Sequence, residues 1–282
     1  MKPVTWHLLY GGACTHPEKV VNPTSSFKNR VFPALFALIE HPDYGPVLFD
    51  TGYASRFFTE TNPFPYRIYR MITPVMVQPE DEAVQQVKQL GYQPEEIKWI
   101  ILSHLHADHI AGVRDFPQAQ ILCTSRAWNS VKNKSGIAAL KKGMVPQLLP
   151  DNFSERLLWI DNCATLSQPF TPFEIGYDLF GDQSLIAVDL PGHAAGQIGL
   201  FLQNQQGKIT FLAADSCWTS QAYQELMFPH RIANLINDDP QAYQTSLTQV
   251  HQLSKHHPDI EIIPSHCLET WTTYREMQEK TK

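Results

Sequence analysis

Short apolar runs, each closed by a polar or turn-forming cluster, set the rhythm of this chain. Residues 4–10 alternate loosely, and residues 34–39 are largely apolar, which suits a core strand. A turn-rich stretch, His41-Pro42-Asp43-Tyr44-Gly45-Pro46, leads back into Val47-Leu48-Phe49 and a stop at Asp50-Thr51-Gly52, which reads as a hairpin. Residues 80–91 change period. Glu80, Asp81 and Glu82 favour a helical first turn, Val84, Val87 and Leu90 recur on one face, and Gly91 ends the element. A strand over 97–102 follows, then a strand over 120–124 and a helix over 125–132.

The second half repeats the style. Strands are expected at 156–160, 184–190, 198–203 and 208–213. A long helix covers 239–255 with Pro240 in its first turn, followed by a strand at 260–264 and a helix over 268–279. Each half runs strands first and strand–helix alternation after, which suggests two sheets packed face to face with helices outside. No short repeat, low-complexity stretch or linker breaks the chain, so residues 1–282 are expected to form one domain. Two stretches are less regular. Residues 53–79 are rich in aromatics and proline and read as a packed connection rather than a lid or partner surface. Residues 133–153, with Lys134, Lys141 and Lys142, fit a short helix and a loop over the site.

Composition narrows the class. With 43% hydrophobic and 18% charged residues the chain can build a core, and a net charge of −6 leaves no electrostatic footprint for nucleic acid. The five cysteines are scattered, with no C-x-x-C pair and no disulfide framework. The N-terminal residues lack the pattern of a signal peptide, and no segment has the length of a membrane span. A cytoplasmic protein is expected.

The densest chemistry lies in Ser103-His104-Leu105-His106-Ala107-Asp108-His109, directly after the buried strand. Imidazole and carboxylate are the donors that zinc and similar ions take. His104 and His106, two apart in extended chain, face one side and can reach one ion. Asp108 and His109 follow where the chain turns into helix and can serve a second. Three more donors close apolar runs elsewhere: His193 after Leu190-Pro191-Gly192, Asp215 after Phe211-Leu212-Ala213-Ala214, and His266 after Ile262-Ile263-Pro264-Ser265. Together they offer seven ligands, enough for two ions sharing a carboxylate. His16, in Cys14-Thr15-His16-Pro17, is read as a surface-loop residue, the alternative being a place near the site; His7, His41, His230, His251, His256 and His257 read as ordinary surface or helix-end residues.

The pattern His104-x-His106-x-Asp108-His109, then His193, Asp215 and His266, resembles the metallo-β-lactamase-fold superfamily. The resemblance implies an α+β fold, a four-layer αββα sandwich of two mixed sheets with helices outside. It also implies a dinuclear site in which His104, His106 and His193 hold one metal, Asp108, His109 and His266 the other, and Asp215 bridges. Asp50 matches the family's early strand-end aspartate, which supports the site from behind its ligands. The bridging position is Asp215 and not a thiolate, with Cys217 two residues displaced, so the β-lactamases proper are less similar. His106 stands where the di-iron flavoprotein branch has glutamate. The nearest pattern is that of the N-acyl homoserine lactonases and related small-ester hydrolases. That branch carries a tyrosine three residues beyond the bridging aspartate to hold the substrate carbonyl; here the position is Trp218, with Tyr223 available nearby.

The resemblance thus implies a metal-dependent hydrolase that attacks a lactone or similar small ester with a metal-bridging hydroxide, Asp108 steering the nucleophile and passing a proton to the leaving alkoxide. The cofactor expected is two divalent ions, zinc first, with iron or manganese as substitutes. Phe57, Phe58, Phe64, Met71, Trp218 and Tyr223 are candidates to contact an acyl or aromatic substituent, the alternative being that they are core. A thioester or phosphodiester hydrolase of the same fold and an iron-dependent oxidoreductase are the rival activities. A metal-binding effector with vestigial catalysis is the third rival. The partner expected is a small molecule, with neither nucleic acid nor membrane; a homodimer is compatible with the chain.

Overall fold

The computed structural model describes residues 1–281. Seven strands make the first sheet: β1 (Thr5–Pro17), β2 (Asn29–His41), β3 (Gly45–Phe49), β4 (Val75–Met76), β5 (Trp99–Ile101), β6 (Gln120–Cys123) and β7 (Leu157–Trp159). Six make the second: β8 (Ala164–Phe170), β9 (Phe173–Asp178), β10 (Leu185–Asp189), β11 (Ile198–Gln203), β12 (Ile209–Ala214) and β13 (Glu261–Pro264). The orders are β4-β1-β2-β3-β5-β6-β7 and β13-β12-β11-β10-β9-β8. Both sheets are mixed. β3, β5, β6 and β7 run parallel, as do β12 and β13, while the hairpin-linked strands are antiparallel.

The layers follow from which face each side chain takes. On β2, Leu35, Ala37 and Ile39 join Val47, Ile101, Leu185, Leu200 and Leu212 in the core between the sheets. The alternate residues Ala34, Phe36 and Leu38 turn outward to a second core with Val87, Ile110 and Val131, which lie on helices or a helical turn. A strand covered on both faces has no position for a polar side chain, hence the unbroken apolar run. The second sheet repeats the plan: Phe201, Phe211 and Ala213 pack beneath Tyr243, Leu247 and Val250 of the helix Pro240–His256. Two mixed sheets between helical layers give the expected α+β sandwich.

Some elements differ from expectation. β1 runs seven residues past Tyr10 because Gly11 and Gly12 form a bulge, not a stop; pairing with β2 shifts between Tyr10 and Ala13 and then resumes. The hairpin β8–β9 went unread because β8 is a half-exposed edge strand with little apolar alternation. Residues 53–79 contain two short helices, Arg56–Glu60 and Arg67–Ile72. His16 lies on β1 opposite Arg30 and not in a surface loop, and His41 is buried, its Nε2 2.8 Å from Ser184 Oγ. No helix among the described residues is long and apolar enough to cross a membrane.

Candidate metal centre

Five strand ends open on one place. β3 ends before Asp50, β5 leads into Ser103 and His104, β10 leads to His193, β12 ends before Asp215, and β13 before His266. Parallel register brings them together: Phe49 pairs with Ile101, so the Asp50 carboxylate reaches Ser103 N at 2.8 Å, and Ala214 pairs with Pro264, so the Asp215 carboxylate reaches His266 Nε2 at 2.8 Å. Two backbone bonds join the sheets at this edge. Ile198 N donates to Ser103 O at 3.0 Å, and Leu35 N donates to Ser265 O at 2.9 Å. The backbone is strained here. Asp50 and Ala214 hold φ of 62° and 49°, costly for residues with a Cβ, and the register shift beside Ala214 re-aims Asp215.

The donors fall into two buried groups. His104, His106 and His193 form one, and Asp108, His109, Asp215 and His266 the other; within each, the ligand atoms all lie within 4.8 Å of one another. Asp215 lies between them. Its Oδ2 is 3.2 Å from His193 Nε2 and 2.8 Å from His266 Nε2, and its Oδ1 is 3.4 Å from His109 Nε2. Asp108 Oδ2 sits 3.4 Å from His266 Nε2 and 3.6 Å from His109 Nε2.

Hydrogen bonds behind the rings fix their tautomers. Asp50 Oδ2 accepts the Nδ1 proton of His109 at 2.8 Å and the hydroxyl proton of Ser103 at 2.7 Å. Ser103 Oγ in turn accepts from His104 Nδ1 at 3.0 Å. His193 Nδ1 donates to Asn237 Oδ1 at 3.0 Å, and His266 Nδ1 to Pro33 O at 2.6 Å. Four imidazoles thus spend Nδ1 on the surroundings and turn Nε2 inward. His106 is reversed: its Nδ1 faces His193 Nε2 at 2.9 Å, and the opposite edge of its ring rests on Gly143. Gly143 has φ of +62°, and a Cβ there would lie 2.6 Å from the ring.

These residues fit divalent metal ions. His104 Nε2, His109 Nε2 and Asp215 Oδ1 are buried with no hydrogen-bond partner among the described residues. Leaving such atoms unpaired costs about 1–3 kcal/mol each, and a cation between the groups satisfies them all. The electrostatics agree with the donor chemistry. Burial, then the neighbouring His109 and His106, holds His104 well below the ordinary imidazole value, so its lone pair is free. Burial opposes charge on Asp215, but His266, His109 and His193 outweigh it and keep the carboxylate ionised. Burial likewise opposes charge on His109, and Asp50, Asp108 and Asp215 outweigh it in the other direction. A proton and a metal ion compete for that nitrogen.

The structure brings all seven expected donors and Asp50 to one centre. Cys217 is not among them: it is fully buried in the second helical core, and burial pushes its thiol up. The aromatic candidates scatter. Trp218 is close, its ring edge-on to His193 with centroids 5.6 Å apart and tilted against Tyr243 at 5.7 Å. Tyr223 turns its hydroxyl to Ile262 O at 3.4 Å instead. Phe57 is wholly buried against Tyr53 and Tyr69 and has no free surface for a substrate. Phe58 is half-buried, whereas Phe64 and Met71 are 74% and 73% exposed. Sequence reasoning missed Ser103, Gly143 and Asn237. Only Ser103 carried a signal, its place between the strand and the cluster.

The chain belongs to the metallo-beta-lactamase superfamily, whose family model matches residues 30–211. Its relatives narrow the comparison. An N-acyl homoserine lactonase AttM of Rhizobium radiobacter is 24% identical over 247 residues, covering 88% of this chain and 86% of that one. An N-acyl homoserine lactonase of Bacillus cereus is 24% identical over 220 residues, covering 78% of each. Among solved structures, an N-acyl homoserine lactone hydrolase with N-hexanoyl-L-homoserine bound at its catalytic metal centre superposes with a TM-score of 0.73. It shares 21% identity and 97% coverage of both chains. AidC, a dizinc quorum-quenching lactonase, superposes with a TM-score of 0.64 at 16% identity, covering 95% of this chain and 90% of that one. The structural likenesses establish the fold.

Proposed function

We propose that residues 1–282 act as one metal-dependent hydrolase domain with a two-ion centre that opens a lactone or a similar small ester. N-acyl homoserine lactones are the first class to test. One observation carries the reading: seven buried donors from four separate strand ends converge, and His104 Nε2, His109 Nε2 and Asp215 Oδ1 have no hydrogen-bond partner among the described residues. The relatives named for lactone hydrolysis support the substrate class.

His104, His106 and His193 hold one ion, Asp108, His109 and His266 the other, and Asp215 serves both. Zinc suits this nitrogen and oxygen set, which iron and manganese also accept. Ions so held supply Lewis acidity for a carbonyl oxygen and bring the acidity of water towards neutrality. The chain does the rest. Asp50, directly through His109 and by way of Ser103 through His104, keeps a ring of each group in its working tautomer. Asp108 receives the proton of the attacking water and delivers it to the leaving alkoxide. Trp218 walls the centre on the His193 side and presents an indole where the lactonase pattern has a phenol.

The test is a panel of lactones, thioesters and phosphodiesters, run on metal-loaded and chelated protein. Turnover of lactones alone, lost on chelation and restored by zinc, is the expected result. Preference for a thioester or phosphodiester overturns the substrate class, and turnover that survives chelation overturns the metal reading.

A further inference from the structure

Three of the imidazoles lean on acceptors that belong to the sheet edge itself: Ser103, Asp50 and Pro33 O. His193 does not. Its Nδ1 acceptor, Asn237, lies 44 residues further along, on the connection between the 3-10 helix Arg231–Leu235 and the helix Pro240–His256. That connection is fastened to the His193 loop at several points. Asp238 N donates to His193 O at 3.1 Å and Asp239 N to Gly192 O at 2.9 Å. Asp238 Oδ2 accepts from Ala195 N at 3.0 Å, and its Oδ1 from Lys142 Nζ at 2.8 Å. Gly192, at φ +130°, approaches so closely that a Cβ would lie 2.0 Å from Tyr243 N. Asn237 thus sits in a loop whose next two residues are both hydrogen-bonded to the His193 loop. Its side chain is buried, its Oδ1 serves His193, and its Nδ2 has no partner among the described residues. Burying a polar group that is only half satisfied costs stability, so the position must return something for it.

We propose that Asn237 is a positioning residue for the three-histidine group: its Oδ1 takes the Nδ1 proton of His193 and so keeps the Nε2 lone pair aimed at the centre. The inference rests on the ligand assignment made above. An amide oxygen performs this task because it only accepts; the amide turned over would offer N–H to Nδ1 and force the proton onto Nε2, where it would block a metal. Asp238 beside it fixes the loop and leaves the ring alone. Metal affinity at this group thus depends on the docking of a segment distant in the chain.

The test measures zinc affinity by competition with a chelator, and the His193 tautomer by 15N NMR of histidine-labelled zinc protein. Asn237→Ala is expected to weaken binding of one of the two zinc ions by about 10–100-fold and to remove the uniform Nδ1–H signature of His193. Asn237→Asp, which still accepts, is expected to restore both. If the alanine variant does not fold, Asn237→Ser, whose shorter side chain draws the acceptor back, takes its place. Unchanged affinity and tautomer in Asn237→Ala overturn the inference, as does an aspartate variant no better than alanine. Wild-type protein that takes up no zinc sinks the ligand assignment itself, whereas wild type with two ions and an indifferent alanine variant sinks only the role of Asn237.

Discussion

The two halves of the centre are built from the same residue types and behave differently. The group of His104, His106 and His193 has no carboxylate of its own, and burial and mutual repulsion hold its imidazoles below their ordinary value. In the group of Asp108, His109, Asp215 and His266 carboxylates outweigh burial and raise both imidazoles: Asp50, then Asp108 and Asp215, for His109, and Asp215 with Asp108 for His266. Without a metal the first half is a set of neutral lone pairs, and the second a network of charge-assisted contacts. The contrast teaches where each half gets its order. The second draws on attraction among its members as well as on Asp50 and Pro33 O behind its rings, whereas the first depends on what stands behind it: Ser103, Gly143 and Asn237.

The largest effect is expected where the halves meet. Asp215→Ala removes the carboxylate that lies between the groups, and turnover should fall on the order of 10³-fold or more, with metal lost from both. Elemental analysis beside the rate measurement checks this, and retained activity would break the shared-carboxylate picture. Next, His106→Ala and His266→Ala should each leave about one ion per chain, from opposite halves. Identical loss of both ions in the two variants would show one cooperative site in place of two. Gly143→Ala comes third. The added methyl strikes the His106 ring, so the first half should lose affinity while the protein is destabilised by about 1–3 kcal/mol, read from denaturant midpoints. The smallest effect belongs to a histidine in neither half. Burial outweighs Asp182 and holds His41 below its ordinary 6.5. The folded chain therefore binds fewer protons than the unfolded one just below that pH, and stability is present above 6.5 and declines as pH falls through it. His41→Gln should flatten that decline in thermal melts and leave zinc content untouched.

Much of this was legible in the chain. The density of donors in residues 103–109 has no bland use at the end of a buried strand, and Asp215 and His266 stood out as polar residues closing apolar runs. Asp50 was legible only through the family resemblance, which did not show that it reaches both halves. Phe57 and Tyr223 are buried, the alternative the sequence left open, because an aromatic residue looks the same in sequence whether it lines a mouth or fills a core. Gly143 and Asn237 gave no sign. One is a glycine in a basic loop and the other an asparagine before a helix, each ordinary for its place.

Periodicity and donor chemistry are local properties, so the sequence alone indicated most strands and the longer helices, the sandwich they imply and the candidate donors, but not the hairpin β8–β9 or the short helices of residues 53–79. Tautomer, charge state and the division into unlike halves depend on what lies within about 4 Å of each ring. Those neighbours come from parts of the chain tens of residues apart, and only the register of the two sheets, with the strap of residues 237–243, put them there.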